Sequence, residues 1–358
     1  MSTKKDIADV DVNLRVQTEI KQEGIRFYDV LKDPFKIHGV EHENGQFRRI
    51  PEAVAKSVSE DVYFLHRYTA GGRVRFRTNS PYIAIVAKMP NIGKMPHFPL
   101  TGSAGFDLYL TEGDNEIYSN TFMPPFRIQN GYESLFDFKE SKMREITINF
   151  PLYSDVSELY VGLDENAILE EPTPYALDKM IVYYGHSITQ GGCASHPGNA
   201  YPAILTRRFH CDHINLGFSG SAKGEVEMAE YVASLKMDLF VYDYDHNAPT
   251  ADHLEKTHER MFHTIRKAQP SLPIVMLSST TLPRCSDDKE RRKAIIYKTY
   301  QNALDAGDKN VYFLDGSTFF NEFDHGLATV EGCHPNDLGF VCIAKAVGDM
   351  LEKIMNKE

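Results

Sequence analysis

The sequence predicts an α/β chain of two parts, in which an antiparallel β-sandwich is followed by a parallel sheet covered on both faces by helices. Two observations lead to this prediction. Between residues 61 and 163, apolar and polar side chains mostly alternate, which is the period of half-buried strands. From residue 180 onwards, short apolar runs are separated by longer segments with helical spacing. The length of 358 residues also favours two domains over one.

Five alternating runs define the predicted strands of the first half. In one of them Ile146, Ile148 and Phe150 share a face, which is therefore predicted to be buried. The opposite face carries polar residues such as Thr147 and Asn149 and is predicted to be exposed. The intervening segments are rich in Gly, Pro, Asn and Asp, as is typical of the turns of a sandwich. The five runs are RVRFRT, YIAIVAKM, GFDLYL, EITINF and ELYVGL.

The second half begins after the segment LEEPTPYALDK at residues 169–179, whose prolines and acids indicate a linker. We therefore place the first domain at residues 1–172 and the second at 173–358. Alternating strands and helices predict a parallel sheet with functional sites at the carboxyl ends of its strands. The predicted strands are MIVYYG, HINLGF, DLFVYDY, PIVMLSS and VYFLDG, and the predicted helices are EVEMAEYVASL, ADHLEKTHERMFHTIRKA, DDKERRKAIIYKTYQNAL and LGFVCIAKAVGDMLEKIM.

The composition disfavours several classes of protein. A formal net charge of −11 argues against general binding to nucleic acids or anionic membranes, because both require clusters of Lys and Arg. Residues 1–14 lack the apolar core of a secretory signal, and no stretch is long enough to span a bilayer. The five cysteines have no zinc-site or disulfide spacing, which favours reduced thiols in the cytoplasm. The oligomeric state stays open and includes a homo-oligomer.

The stretch MIVYYGHSITQGG contains the candidate nucleophile. Its strand-forming residues stop at Gly185, and Ser187 follows two residues later, before Gly191 and Gly192. Glycine permits backbone geometry that other residues resist, so the serine is predicted at a sharp turn where a strand meets solvent. Ordinary loops also contain such serines. The assignment therefore requires a base, an acid and oxyanion donors elsewhere in the chain.

Two further strand ends offer donors for an oxyanion hole. Gly220 follows the strand HINLGF, and Asn247 follows the strand DLFVYDY. The amide N–H groups of Ser187 and Gly220, with the side-chain amide of Asn247, would stabilise the negative charge of a tetrahedral intermediate. The alternative for Asn247 is a turn residue without a catalytic role.

The candidate base is His334 in the stretch VEGCHPNDLGF, just before the last predicted helix. Glu331 precedes it by three residues and would orient the imidazole through a charge-assisted hydrogen bond. Ser187, His334 and Glu331 would then form a triad. The alternative for Glu331 is a solvated carboxylate. Asp315, at the end of VYFLDG, is then the replacement acid, although a cap or turn role is the other interpretation of that residue.

In their order along the chain, the blocks GHSITQGG, GFSGSA, DHN and EGCHPND resemble those of the SGNH (GDSL-type) esterase and lipase superfamily. The resemblance covers residues 180–358 and implies a flavodoxin-like, three-layer hydrolase domain. It also implies that Ser187 is the nucleophile, that Gly220 and Asn247 belong to the oxyanion hole, and that His334 is the base.

The sequence departs from the family pattern at three places. His186 stands where an aspartate usually precedes the nucleophile. Asp245 and Ala248 stand where a glycine and an aspartate usually flank the asparagine of the third block. Glu331 replaces the usual aspartate of the fourth block, which unrelated hydrolases with a glutamate in the triad tolerate.

The first half resembles the jelly-roll-like β-sandwich that precedes one SGNH subfamily and is marked by a Gly-x-Asp-Leu-Tyr stretch, here residues 105–109. Similar two-domain proteins include carbohydrate esterases and an acyltransferase. The resemblance therefore implies the reaction class better than the substrate. Asp107 of this stretch is interpreted as a structural hydrogen bonder rather than a substrate ligand.

Two other polar clusters have simpler interpretations. His210, Cys211 and His213 are metal-ligating residue types, but their spacing matches no familiar four-ligand zinc site. A core thiol between two edge histidines is the preferred interpretation. The run DDKERRK, which begins at Asp287, is predicted to be the solvated start of a helix.

Together, these observations predict a serine esterase that removes a short acyl group, preferably acetyl, from a carbohydrate or glycoside ester through an acyl-enzyme. Its substrate would be a small-molecule or oligosaccharide ester, and no cofactor or metal is expected. Two alternatives remain open. One is an acyltransferase that uses the same triad with an alcohol acceptor. The other is a glycan-binding protein whose hydrolase-like domain is inactive.

Overall fold

The computed structural model describes residues 16–113, 115–280 and 288–356. Three of the sequence predictions concern residues outside these ranges: the missing signal at residues 1–14, the thiol of Cys285, and the start of the charged run at Asp287. Within the described ranges, no helix is sufficiently long and apolar to pass through a lipid bilayer.

The first half is the predicted antiparallel sandwich, and all five predicted runs form strands. Its strands are β1 (Ile25–Asp29), β2 (Lys36–His38), β3 (Glu41–Glu43), β4 (Gln46–Arg48), β5 (Arg73–Thr78), β6 (Tyr82–Lys88), β7 (Phe106–Glu112), β8 (Asn115–Phe122), β9 (Gly131–Asp137), β10 (Arg144–Asn149), β11 (Glu158–Asp164) and β12 (Leu169–Glu170). One sheet has the order β1-β11-β6-β9. The other has the order β12-β5-β10-β7-β8, with β2 also paired to β5, while β3 and β4 form a separate hairpin.

The two sheets pack around the apolar face that the alternation predicts. Ile146, Ile148 and Phe150 are fully buried in the sandwich core, and burying a side chain of this size contributes roughly 1.5–3 kcal/mol. The prediction that the opposite face is exposed is wrong. Thr147 is 3% exposed and Asn149 is 5% exposed. This polar face is covered because contacts from the second half reach it.

One of these contacts is centred on the fully buried carboxylate of Asp107 in β7. It accepts a hydrogen bond from Asn149 Nδ2 at 2.7 Å and one from the amide of Gly198 at 2.6 Å, and it lies 2.6 Å from Nδ1 of His196. Asp107 therefore joins the sandwich to a loop of the second half. This geometry agrees with the interpretation of Asp107 as a structural hydrogen bonder.

A second contact pairs Arg73 of β5 with Asp212 of the second half. His38 Nδ1 lies 2.7 Å from the other oxygen of Asp212. Burial alone would raise the pKa of Asp212, but the charge of Arg73 and the hydrogen bond with His38 bring it well below its ordinary value. A charged arginine can thus occupy the covered face because its partner arrives from the other half of the chain.

The second half contains a five-stranded sheet in which all neighbouring strands are parallel, as predicted. Its strands are β13 (Met180–Gly185), β14 (Asp212–Gly217), β15 (Leu239–Asp243), β16 (Ile274–Leu277) and β17 (Val311–Leu314). The order β14-β13-β15-β16-β17 is that of flavodoxin-like folds. After β13 the chain adds strands first on one side of it and then on the other, which creates a crevice at the carboxyl ends of the central strands.

Helices cover this sheet, and the four predicted ones are present. The helix at Ala251–Ala268 begins where Thr250 Oγ1 accepts a hydrogen bond from the amide of His253 at 3.1 Å. The described residues form six further α-helices that were not predicted, the longest of them at residues 201–209. The helices are α1 (Glu52–Val58), α2 (Glu60–Leu65), α3 (Leu100–Ser103), α4 (Ser187–Gln190), α5 (Tyr201–Phe209), α6 (Val226–Ser234), α7 (Ala251–Ala268), α8 (Lys289–Asp305), α9 (His325–Ala328) and α10 (Asp337–Met355).

One apolar cluster extends across the predicted domain boundary. Leu152 and Tyr153, which follow β10, pack in the same buried cluster as Ile181 and Ile188 of the second half. The predicted linker at 169–179 is mostly irregular, apart from the short strand β12. The boundary between residues 172 and 173 stays a prediction.

Candidate active site

Three neighbouring strands of the parallel sheet end at the same level. Gly185 at the end of β13 pairs with Gly217 of β14 on one side and with Asp243 of β15 on the other. The segments that follow these strands therefore meet at one edge of the sheet. These segments carry Ser187, Gly220 and Asn247, respectively.

The turn that carries Ser187 requires the residues around it. A Cβ on Gly185 would lie 2.5 Å from a carbonyl oxygen of the neighbouring strand, so only glycine fits there. Ser187 is the first residue of α4, and Nδ1 of His186 caps this helix by accepting a hydrogen bond from the amide of Ile188 at 3.2 Å. The helix ends at Gly191, whose φ of 104° is in the left-handed region.

Ser187, His334 and Glu331 form one hydrogen-bonded chain. Ser187 Oγ lies 2.9 Å from Nε2 of His334, and Nδ1 of His334 lies 2.6 Å from Oε1 of Glu331. The same Oε1 accepts a hydrogen bond from the His334 amide at 2.8 Å. Burial alone would raise the pKa of Glu331, but the hydrogen bonds from His334 lower it below its ordinary value. The carboxylate therefore favours a proton on Nδ1 and a lone pair on Nε2, facing Ser187.

Asp315, the replacement acid of the sequence analysis, makes other contacts. Its Oδ1 accepts hydrogen bonds from the amide of Ser317 at 3.0 Å and from the hydroxyl of Ser317 at 2.6 Å. Its Oδ2 lies 3.3 Å from Nζ of Lys293. Asp315 therefore caps the turn Gly316–Thr318, and the carboxylate in contact with His334 is that of Glu331.

The three oxyanion donors of the sequence analysis come from adjoining turns. Asn247 Nδ2 donates one hydrogen bond to the carbonyl of Phe218 at 2.9 Å, which leaves its second amide hydrogen available. Gly220 has a φ of 70° and is exposed, with open space where a Cβ would be. The amide of Ser187 lies in the first turn of α4, where helix geometry provides no intrahelical acceptor.

Two buried residues that the sequence analysis did not single out hold these turns together. Gln190 donates from Nε2 to the carbonyl of Leu152 at 3.1 Å, and its Oε1 accepts from the amide of Ser219 at 3.0 Å. The Tyr153 hydroxyl donates to the carbonyl of Ser187 at 3.2 Å. The position of Gln190 inside the stretch SITQGG could have indicated its role, whereas no local signal in the sequence marks Tyr153.

A cluster of buried polar side chains, His186, Asp243 and Asp245, lies behind the turn that carries Ser187. Nε2 of His186 is 3.0 Å from Oδ1 of Asp243, and Asp245 accepts a hydrogen bond from the amide of Ser279 at 2.9 Å. Burial, with the charge of Asp243, raises the pKa of Asp245. His186 therefore fits the position of the usual aspartate, because its Nδ1 caps helix α4 while its Nε2 faces the carboxylate of Asp243.

The cluster at the start of β14 belongs to the core. Cys211 is fully buried, as expected, but the expected edge position of His213 is wrong because this side chain is only 1% exposed. Its Nδ1 lies 2.5 Å from Oγ1 of Thr206 on α5 and 3.1 Å from Nη1 of Arg73. Burial brings the pKa of His213 well below its ordinary value.

Comparisons with known protein families cover both halves of the chain. The GDSL-like lipase/acylhydrolase family matches residues 178–352. The GxDLY family, described as the N-terminus of SGNH-hydrolase-type esterases, matches residues 25–169. A search of the curated proteins found no match.

Solved structures share the whole two-part arrangement. A protein described as a GDSL-like lipase from Bacteroides ovatus ATCC 8483 is 27% identical, with a TM-score of 0.84 over 93% of this chain and 98% of its own. The salicylyl-acyltransferase SsfX3 from a tetracycline biosynthetic pathway is 21% identical, with a TM-score of 0.75 over 91% and 96%. A family two carbohydrate esterase from Clostridium thermocellum is 13% identical, with a TM-score of 0.61 over 90% and 98%. The last two comparisons concern the fold alone.

A parallel sheet of this order, with serine, histidine and glutamate joined at its carboxyl edge, defines the class of serine ester hydrolases. The two family matches make the assignment more specific. The chain belongs to the SGNH (GDSL-type) hydrolase superfamily, in the two-domain subfamily with a GxDLY β-sandwich at its N-terminus.

Proposed function

We propose that Ser187, His334 and Glu331 are the catalytic triad of an esterase that works through an acyl-enzyme. The observation that carries this proposal is the unbroken chain from Ser187 Oγ through the imidazole to Glu331, with distances of 2.9 Å and 2.6 Å. His334 takes the Oγ proton as Oγ bonds to the ester carbonyl carbon. It then gives that proton to the leaving alkoxide as the acyl–oxygen bond breaks. Water, deprotonated by His334, releases the acid and restores Ser187.

The amide groups of Ser187 and Gly220 and the Asn247 side chain supply the oxyanion hole in this proposal. They follow three strands that end at one level, and each retains a donor free of the contacts described above. Loss of one such donor typically costs about 2.7–4 kcal/mol of transition-state stabilisation. The negative charge on the former carbonyl oxygen is therefore stabilised from adjoining turns.

We propose a short acyl group, preferably acetyl, on a carbohydrate or glycoside as the substrate. Proteins of similar fold include a family two carbohydrate esterase from Clostridium thermocellum, solved with a bound oligosaccharide, and an acetyl xylan esterase from Butyrivibrio proteoclasticus. Their names support this substrate class. The chemistry of the triad requires no cofactor.

Two loops of the sandwich form a cavity suited to the sugar portion. The cavity has a volume of about 830 Å³ and is lined by residues between 94 and 100 and between 126 and 129. The ring of Phe126 is 89% exposed, and an exposed aromatic ring provides a flat apolar surface for a sugar face. The first loop also reaches the triad, because the ring centroid of His97 lies 5.5 Å from that of His334.

The proposal is tested with p-nitrophenyl acetate and with a panel of acetylated sugars. We expect both to release acetate with the wild-type enzyme, and we expect Ser187→Ala to abolish release without changing the fold. A trapped acyl-enzyme with its mass increase on the peptide containing Ser187 would identify the nucleophile directly.

Two other outcomes would replace the proposal. Product formation only in the presence of an added alcohol would make the protein an acyltransferase with the same triad. Binding of glycans by a protein that turns over none of the esters would make it a binding module. Full activity of Ser187→Ala would contradict the triad.

A further inference from the structure

Three metal-ligating side chains converge beside the triad. His97 comes from the sandwich loop, Cys193 from the segment after α4, and His334 from the turn before α10. Each offers one ligand atom, and the three atoms lie within 4.8 Å of one another. We propose that His97, Cys193 and His334 form a binding site for Zn²⁺ or a similar divalent cation, and that the bound cation inhibits the esterase.

The donor set has the chemistry of a zinc site. Imidazole nitrogen and thiolate sulfur are preferred zinc ligands, and three protein ligands with a fourth position left for water is a common arrangement. Bonds of about 2.0–2.1 Å to nitrogen and about 2.3 Å to sulfur place tetrahedral ligand atoms about 3.4–3.6 Å apart. Because the three atoms already lie within 4.8 Å, the side chains need to close by little more than about 1 Å.

Cys193 is an enclosed free thiol, and burial together with the charge of Glu331 raises its pKa, so that it becomes a thiolate only when a cation binds. Its side chain is 3% exposed and forms no disulfide, and its sulfur has no hydrogen-bond partner among the described residues. The backbone before it packs against the base, since a Cβ on Gly192 would lie 3.5 Å from Cδ2 of His334. On binding, the thiol releases its proton to water. The negative charges of the thiolate and of nearby Glu331 then balance the dication.

The Glu331–His334 pair already orients one of the ligands. Glu331 holds Nδ1 of His334 at 2.6 Å, which directs the lone pair outwards from Nε2. A carboxylate behind a histidine is the usual support of a zinc-bound imidazole. The same Nε2 lies 2.9 Å from Ser187 Oγ. A cation on Nε2 therefore occupies the lone pair that would accept the serine proton. This inhibition rests on the proposed function, whereas cation binding does not.

One other group of ligating residues is less suited. In the group of His186, Asp245 and His246, both nitrogens of His186 already face other groups, Nδ1 the amide of Ile188 and Nε2 the carboxylate of Asp243. The site with His97 differs because it contains a thiol, and because the contact that a cation on Nε2 of His334 displaces is the hydroxyl of Ser187 rather than a buried carboxylate.

Co²⁺ provides a direct test of binding, because a cobalt–thiolate bond gives an ultraviolet charge-transfer band. We expect wild-type protein to show this band with one equivalent of Co²⁺, and Zn²⁺ to remove it. Cys193→Ser should lose the band. The matched controls Cys342→Ser and Cys333→Ser, each of which removes another thiol, should keep it. Ser187→Ala should also keep it, so that binding is tested in a protein without esterase activity.

Inhibition is measured separately with p-nitrophenyl acetate, relative to the uninhibited rate of each variant. The apparent Zn²⁺ inhibition constant should rise in Cys193→Ser and in His97→Gln by more than the roughly 10- to 100-fold typical of losing an outer-shell partner. Chelation with EDTA should restore the rate. His97 is partly exposed, so His97→Gln tests the site even if Cys193→Ser fails to fold. No cobalt–thiolate band, a band that survives Cys193→Ser, or unchanged Zn²⁺ inhibition in His97→Gln would overturn the proposal.

Discussion

Replacement of Glu331 by glutamine tests the least familiar member of the triad. The carboxylate oxygen Oε1 contacts both the amide of His334 at 2.8 Å and Nδ1 at 2.6 Å. In Glu331→Gln the side chain keeps its size, but it loses its charge and can present an N–H to Nδ1. The imidazole then carries its proton on Nε2, facing Ser187, and cannot take the serine proton.

We expect kcat in Glu331→Gln to fall by roughly 10³- to 10⁴-fold, which is about 4–5.5 kcal/mol of transition-state stabilisation. KM should change little, because Glu331 acts through His334 in the proposed mechanism. Steady-state hydrolysis of p-nitrophenyl acetate measures both constants. Asp315→Asn is the matched control, since it neutralises the acid that caps the turn Gly316–Thr318. A loss of less than about tenfold in Glu331→Gln, or a large loss in Asp315→Asn, would refute the reasoning.

Three further predictions concern the oxyanion hole, the cavity and stability. In Asn247→Ala, kcat should fall by roughly 10²- to 10³-fold with KM nearly unchanged, and an equal rise in KM would assign Asn247 to substrate binding instead. In Phe126→Ala, KM for an acetylated oligosaccharide should rise roughly two- to tenfold, since a ring contact contributes about 0.5–1.5 kcal/mol; an unchanged KM would place the sugar elsewhere. Burial raises the pKa of Asp155 to about 6, against the opposing charge of Arg67. Folding therefore favours the protonated acid, and the contribution of Asp155 to the free energy of unfolding should increase as the pH falls from about 7 to about 4. At pH 7, Asp155→Asn should stabilise the protein by about 1–3 kcal/mol in urea unfolding, and this stabilisation should disappear at pH 4. An equal stabilisation at both pH values would contradict the prediction.

The fold could be predicted because most elements carry their own local signal. Alternation in EITINF and helical spacing in ADHLEKTHERMFHTIRKA correspond to β10 and α7. Ser187 and His334 are 147 positions apart, yet their motifs predict that they meet. Parallel strands bring their carboxyl ends to one edge whatever the length of chain between them.

The remaining features depend on partners that a local pattern does not contain. The covered face of the sandwich looks solvent-exposed in sequence because Asn149 and Arg73 are polar, and contacts that include Asp107 and Asp212 make their burial favourable. Helix α5 begins with Tyr201 and Pro202, and the proline at its second position was its one clear start signal. His97 reaches the triad from a loop whose sequence shows neither the alternation of a strand nor the spacing of a helix.

The carboxylate of Asp107 bears on how such enzymes can diversify. One side of it holds a strand of the sandwich, and the other holds the backbone around Gly198. A genetic exchange that replaced the sandwich alone could leave the buried carboxylate of Asp107 without its hydrogen-bond donors, or the donors without the carboxylate. Either loss would cost several kcal/mol. We therefore expect the two halves to be inherited together, so that new substrate preferences arise by mutation of the loops rather than by shuffling of whole domains.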